Sequence, residues 1–185
     1  MKIFKLSRRH LVFLSSMGIA GVANAIASTR SQAQSQTPQN MTSQPALDRL
    51  DIIETVNKIG IMADLRDWEA CRACFRDRVE FDYTSLMGGK PTIVDANTQI
   101  QQWSDFFEKT FKTTQHLIGS HTITLNSDTA TCLSNFQAHH VLLDSTKRTW
   151  TLGGYYQHEL ARNTNGWQVT KMKMTWTWEE GTRPF

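Results

Sequence analysis

The 185-residue chain contains no apolar run of 18 residues free of polar breaks, which excludes a multi-span helical membrane protein. The Gly-x-Ser-x-Gly elbow, the phosphate-binding P-loop, Gly-x-Gly-x-x-Gly and His-Glu-x-x-His are all missing. Serine-hydrolase, nucleotide-hydrolase, Rossmann-dehydrogenase and zinc-protease readings fall with them. Cysteine is scarce. Of the three, Cys71 and Cys74 form one Cys-x-x-Cys pair with neither Gly nor Pro inside it and no second pair to complete a metal set. Small buried apolar thiols are the reading preferred here, with a bridge from Cys132 to one of them as the alternative. Positive charge is also thinner than the formal +3 suggests. Lys2, Lys5, Arg8 and Arg9 lie in residues 1–27, which hold no acid, so the rest of the chain carries −1. A charge of that size provides no field for nucleic acid.

What is present begins with those basic residues. They precede a weakly apolar stretch, Leu11 to Ala27, with small-residue patterns such as Ala23-Asn24-Ala25. Residues 1–27 therefore read as an export signal, removed to leave no membrane span. Ser7-Arg8-Arg9-His10-Leu11 resembles the twin-arginine type and implies a periplasmic destination. An ordinary secretory signal or anchor with adjacent arginines is the alternative. Residues 28–45, rich in Ser, Gln, Thr and Asn, read as a linker that cannot offset its ordering entropy. Residues 46–185 form the expected folded domain.

Leu47, Leu50, Ile53, Val56, Ile59 and Met62 follow helical spacing to about Arg66-Asp67, and Trp68 to Phe75 suggest a short second helix. Asp48, Asp51 and Glu54 sit early in the first helix, on the favourable side of its dipole. Val79, Phe81 and Tyr83 alternate with acids, a strand signal. Gly88-Gly89-Lys90-Pro91 marks a loop, and Ile100, Trp103, Phe106, Phe107 and Phe111 a third helix from near Asp95. From about Thr113 the chain reads as four strands, separated at Asn126-Ser127-Asp128, Asp144 to Lys147 and Asn163 to Gly166. The expected architecture is α+β, with N-terminal helices packed on a curved antiparallel sheet shaped as a cone. Its open end is a natural small-molecule pocket.

Candidate chemistry collects near that end. Asp64 closes the first helix, where a carboxylate opposes the dipole and needs another reason to be present. His116 opens the first long strand. Parity puts Ala130, Cys132, Ser134, Phe136, Ala138 and His140 on one inward face and turns His139 outward, unless a bulge intervenes. Tyr83 shares a face with Phe81 and Val79. A histidine backed by a carboxylate has a fixed tautomer and raised basicity, and a second histidine or a tyrosine can polarise or protonate oxygen. Each of these residues could equally be a structural group. Phe136, Tyr156 and Trp178 are candidate walls for a small ligand. The histidines lack ligand spacing, so no metal site is expected.

The segments Ala63-Asp64-Leu65-Arg66-Asp67-Trp68, Phe81-Asp82-Tyr83-Thr84-Ser85, Thr114-Gln115-His116-Leu117-Ile118-Gly119, Asp128-Thr129-Ala130, Ala138-His139-His140, Gly153-Gly154-Tyr155-Tyr156 and Gly166-Trp167-Gln168-Val169 resemble, in order and spacing, the SnoaL-like group of the nuclear-transport-factor-2-like superfamily. They also resemble scytalone dehydratase within it. The resemblance runs from about Leu47 to Gly181. It implies the α+β cone, a homodimer through the outer sheet face, and an internal pocket working without a cofactor. It implies Asp64 as the acid that orients His116, His140 or His139 as the second histidine, and Tyr83 as an assisting tyrosine. Two departures matter. Ala63 stands where the dehydratase has a second tyrosine, and Gly153-Gly154 where it has polar side chains. The activity expected is therefore that of a lyase, isomerase or cyclase on a small cyclic or carbonyl compound other than scytalone. A non-catalytic binder of an apolar ligand, or a scaffold using its outer sheet face, would show the same pattern.

Overall fold

The computed structural model describes residues 43–144 and 148–185. The expected export signal lies outside them, as does most of the expected linker. Helix α1 (Ser43–Leu65) starts three residues before the expected domain boundary. Then follow α2 (Trp68–Ala73), β1 (Phe75–Asp82), the single-turn α3 (Thr84–Met87), β2 (Thr92–Asp95), α4 (Ala96–Thr110), β3 (Phe111–Asn126), β4 (Thr129–Leu142), β5 (Thr149–Asn163) and β6 (Gly166–Gly181). The six strands form one curved, unclosed sheet in the order β2-β1-β6-β5-β4-β3, with helices packed on its inner face. The last four are the expected antiparallel meander. The sheet is not wholly antiparallel, because β1 joins β6 in parallel. The short β2 lies where sequence alone suggested only loop.

Local chemistry explains the boundaries. Asp67 and Asp95 cap α2 and α4, their carboxylates accepting from the Ala70 and Thr98 amides at 3.0 and 3.1 Å. The curvature comes from register shifts at Gly119/Thr122 in β3 and at Gly153/Gly154 and Glu159/Leu160 in β5 and β6. Each bulge bends its strand and sharpens the twist. Gly154 sits at one of them, where a Cβ would stand 2.0 Å from the Thr175 carbonyl oxygen.

The buried stripe of α1 differs from the expected one. Ile52, Val56, Ile59, Gly60 and Ala63 face the sheet, whereas Leu47 and Leu50 are exposed. An exact three-residue repeat drifts around a 3.6-residue helix, so a sequence stripe of that period cannot stay on one face. The residue buried in the first turns is Asp48, assigned above to the favourable dipole end. Its carboxylate accepts from the Arg162 guanidinium at 2.5 Å and the Trp167 indole at 3.4 Å. Arg162 also lies over the Trp167 ring, 4.5 Å from its centroid. This ion pair ties the start of α1 to the β5–β6 hairpin. The three thiols are free and buried, and burial raises Cys71 to about 12 and Cys74 and Cys132 to about 11. Such thiols are not nucleophiles at neutral pH.

The Arg162 hydrogen bond outweighs burial and, with help from Gln44 and Trp167, pulls the Asp48 pKa down to about 2. Its contribution to stability is full above the ordinary carboxylate range near pH ~4 and fades as pH falls through about 2. Asp48→Asn should cost about 2 kcal/mol at neutral pH and flatten the acid limb of a urea-denaturation stability profile. An unchanged acid limb would show that the pair contributes nothing.

Candidate active site

The concave face of the sheet and the inner sides of α1 and α4 enclose a cavity of about 560 Å³. Its mouth is framed by the segment from Thr84 to Thr92, whose Gly88 and Gly89 adopt φ of 71° and 81°, a region open to glycine at little cost. Most of the wall is apolar: Phe81, Trp103, Phe107, Phe136, Leu152, Met172 and Met174.

Asp64 and His116 meet at this wall. One Asp64 oxygen accepts from the His116 ring Nδ1 at 2.7 Å and from the Thr114 hydroxyl at 2.7 Å. The other accepts from the His116 backbone amide at 2.7 Å. The side chains are 14% and 11% exposed, enough for the ring edge to reach the cavity. Burial alone would raise the Asp64 pKa, but the His116 ring, Thr114 and the His116 amide together hold it below the ordinary value. Ionised Asp64 accepts the hydrogen bond from Nδ1–H, which places the lone pair of the singly protonated His116 ring on Nε2. Gly60 permits this approach, since a Cβ there would lie 3.0 Å from the His116 Cβ.

Three residues not singled out from sequence hold the pair in place. Thr114 shares the strand face of His116 by two-residue parity, a signal that was readable. Arg66 closes α1 in the left-handed region (φ 62°), where the Asp67 amide bonds back to Met62. Glycine is usual at such a position. Here the guanidinium donates to the Ala63 carbonyl at 2.7 Å and to the Thr114 hydroxyl at 3.0 Å, and it lies over the Phe107 ring at 4.9 Å. Phe107 in turn is parallel to the His116 imidazole, with 6.2 Å between centroids. No sequence pattern marks either of these contacts.

His140 is buried against Phe111, Trp150 and the edge of His116, with ring centroids 4.5, 5.0 and 5.6 Å away. Its Nδ1 donates to the Trp150 carbonyl at 3.0 Å, so Nε2 carries the lone pair. Burial, reinforced by the nearby His116, lowers its pKa to about 4. A ring held neutral in this tautomer accepts hydrogen bonds from a ligand and does not protonate one. That corrects the oxygen-protonating role considered above. His139 points outward and bonds to Thr151.

Donors come from the tyrosines. Tyr83 lies just past the end of β1, and its hydroxyl has the Met172 sulfur, 3.7 Å away, as a weak partner. Tyr156 stacks on Phe136 at 4.2 Å. Burial holds both phenols protonated by raising their pKa values, and the Asp64 carboxylate adds to the rise at Tyr156. Phe136 and Tyr156 line the cavity. Trp178 does not: it is 41% exposed and lies over Gly153 on the outer face. The β6 bulge between its partners Gly153 and Gly154 makes Thr177 the extra residue, which reverses parity between Trp176 and Trp178. Among the described residues there is no group of three metal-ligating side chains.

The SnoaL-like domain family matches residues 44–173. No curated protein matches the chain. Among solved structures, the Kfla4162 protein of Kribbella flavida superposes with a TM-score of 0.70 at 28% identity, over 74% of this chain and 95% of that one. A protein of Novosphingobium aromaticivorans described as an aromatic ring hydroxylase gives 0.67 at 24% identity, over 75% and 95%. Another from that organism, described as a scytalone dehydratase, gives 0.68 at 16%, over 77% and 93%. These likenesses carry the fold; chemistry has to be argued from the side chains.

Nuclear magnetic resonance of the imidazole nitrogens, taken where the His116 ring carries a single proton, should find that proton on Nδ1. Asp64→Ala should release the ring to a mixture dominated by the Nε2–H form. A mixed population in the unaltered protein would mean that the carboxylate does not select the tautomer.

Proposed function

The chain belongs to the SnoaL-like domain family, and on that premise we propose a cofactor-independent lyase, or an isomerase or cyclase, acting on a small cyclic or carbonyl compound. The observation that carries the reading is the 2.7 Å contact from Asp64 to His116 Nδ1 at the wall of an open, largely apolar cavity. Nε2 of His116 removes a proton activated by an adjacent electron-withdrawing group. Asp64 stabilises the imidazolium that forms. Tyr83 and Tyr156 donate to the oxygen on which negative charge develops, in a site where low polarity strengthens such bonds. His140 accepts from a substrate hydroxyl and orients it. If that hydroxyl leaves, its proton comes from the His116 imidazolium, because His140 has none to give. Abstraction and departure then occur on one face of the substrate. The N. aromaticivorans structure described as a scytalone dehydratase is in keeping with such an elimination.

The second reading is a binding protein for a small apolar ligand. It is favoured by Ala63 and by Gly153-Gly154, positions where the resembled dehydratase has polar groups. Under either reading we propose export through the signal in residues 1–27 and assembly as a homodimer. The outer sheet face exposes Leu117, Leu133, Tyr155 and Trp178, an apolar surface of the kind that homodimers cover.

With a turned-over substrate in hand, His116→Ala and Asp64→Asn should abolish activity, and Asp64→Asn should also lower the thermal midpoint, because an amide nitrogen cannot accept as the carboxylate oxygen did. Tyr83→Phe and Tyr156→Phe should each lower kcat about 100-fold. Wild-type rates in both dyad variants would remove the catalytic assignment, and unaltered ligand eluting from the purified protein would favour binding. For assembly, light scattering should give twice the protomer mass, and Trp178→Glu with Tyr155→Glu should give the protomer. Dimers that persist in that double variant would move the interface elsewhere.

A further inference from the structure

On the same sheet face, the cavity wall holds a group that the chemistry above does not use. His158 is fully buried in β5 and lines the cavity, and neither of its ring nitrogens has a hydrogen-bond partner among the described residues. Ser134, buried on β4, is likewise unpartnered at its hydroxyl. Ser134 pairs in register with Tyr156, and Cys132 with His158. The Tyr156 and His158 rings lie 5.6 Å apart. A largely apolar stretch of the chamber wall therefore holds an imidazole with a donor and an acceptor both unspent. Leaving such a group unsatisfied is costly, because burial takes away the hydrogen bonds it made to water. Burial, with His121 nearby, keeps the ring neutral by lowering its pKa to about 3, so it attracts no anion. A neutral imidazole with one N–H and one lone pair is complemented by a group that both donates and accepts, and the simplest such group on an organic molecule is a hydroxyl.

We infer that His158 is a hydroxyl-binding subsite in the cavity wall, set apart from His116. Its ligand is an elongated, apolar-cored molecule that bears an oxygen function at each end. His116 pairs with Ala138, which pairs with Leu152. His158 lies six residues beyond Leu152 on the same strand, about 20 Å of strand contour before curvature shortens it. One end of the molecule meets His116 and Tyr83, and the other meets His158. The first half of that statement rests on the acid–base reading above. The second half does not, since a pure binding protein would use the same subsite.

The test compares 4,4′-dihydroxybiphenyl with biphenyl, following quenching of tryptophan fluorescence from Trp103 and Trp150 in the cavity wall. His158→Phe should weaken the diol by about tenfold and leave biphenyl unchanged. His158→Gln, which keeps a donor and an acceptor, should retain most of the diol affinity. Without ligand, the thermal midpoint of His158→Phe should equal or exceed that of the unaltered protein, because an unpartnered imidazole has been replaced by an apolar ring. Should Phe prove too large, His158→Leu serves for both readouts. Diol affinity that is unchanged in these variants overturns the subsite. So does a fall in thermal midpoint without a change in affinity, which would make His158 the partner of an internal water. Turnover assays of His116→Ala are independent of both outcomes, so the loss of the catalytic reading and the loss of this subsite are distinguishable.

Discussion

Three hydrogen bonds to one carboxylate organise the functional end of this domain. Asp64 lies in the last turn of α1 and accepts from the Thr114 hydroxyl, the His116 amide and the His116 ring. Those partners lie 50 and 52 residues further along the chain. The bonds join the end of the first helix to the start of the meander. A carboxylate at a helix C-terminus is disfavoured by the dipole. It is held there by N–H and O–H donors that would otherwise face an apolar chamber. The same contacts fix which nitrogen of His116 is free, so a fold-defining junction and a base are one set of atoms.

Around that junction, aromatic packing does work that charge does elsewhere. Phe107 supports the flat face of His116 and receives the Arg66 guanidinium on its own. Phe111 and Trp150 hold His140. Removal from water then separates the titrating groups. Asp64 stays ionised because it has donors, while His140, Tyr83 and Tyr156 stay neutral because burial outweighs the charges near them. The site thus contains one base backed by a fixed negative charge, one acceptor and two phenolic donors, in an enclosure of low polarity.

Much of this was legible from local pattern. The meander and its turns at residues 126–128 and 163–166 followed from strand alternation and turn chemistry, and the inward face from Ala130 to His140 followed from parity; the expected turn residues 145–147 lie outside the described residues. Where reading failed, a bulge or a drift was responsible. The β6 bulge moved Trp178 off the cavity wall, and a three-residue spacing put Leu47 and Leu50 on the buried side of α1 while Asp48 took that place. Neither leaves a mark in sequence, because a bulge depends on the partner strand and a helix face on what packs against it.

The sequence by itself determined the order of the long elements, the period of the strands and the kinds of groups available: one carboxylate at a helix end, one histidine at a strand start, a second histidine on an inward face. Those are properties of short windows, governed by backbone periodicity. Which nitrogen is free, which histidine accepts rather than donates, and which imidazole is left without a partner were decided by tertiary structure. The first depends on a contact across 52 residues, Asp64 with Nδ1 of His116, and the second on the pairing of β4 with β5 that brings Nδ1 of His140 to the Trp150 carbonyl. Curvature of the sheet settles those contacts, and no local preference encodes them.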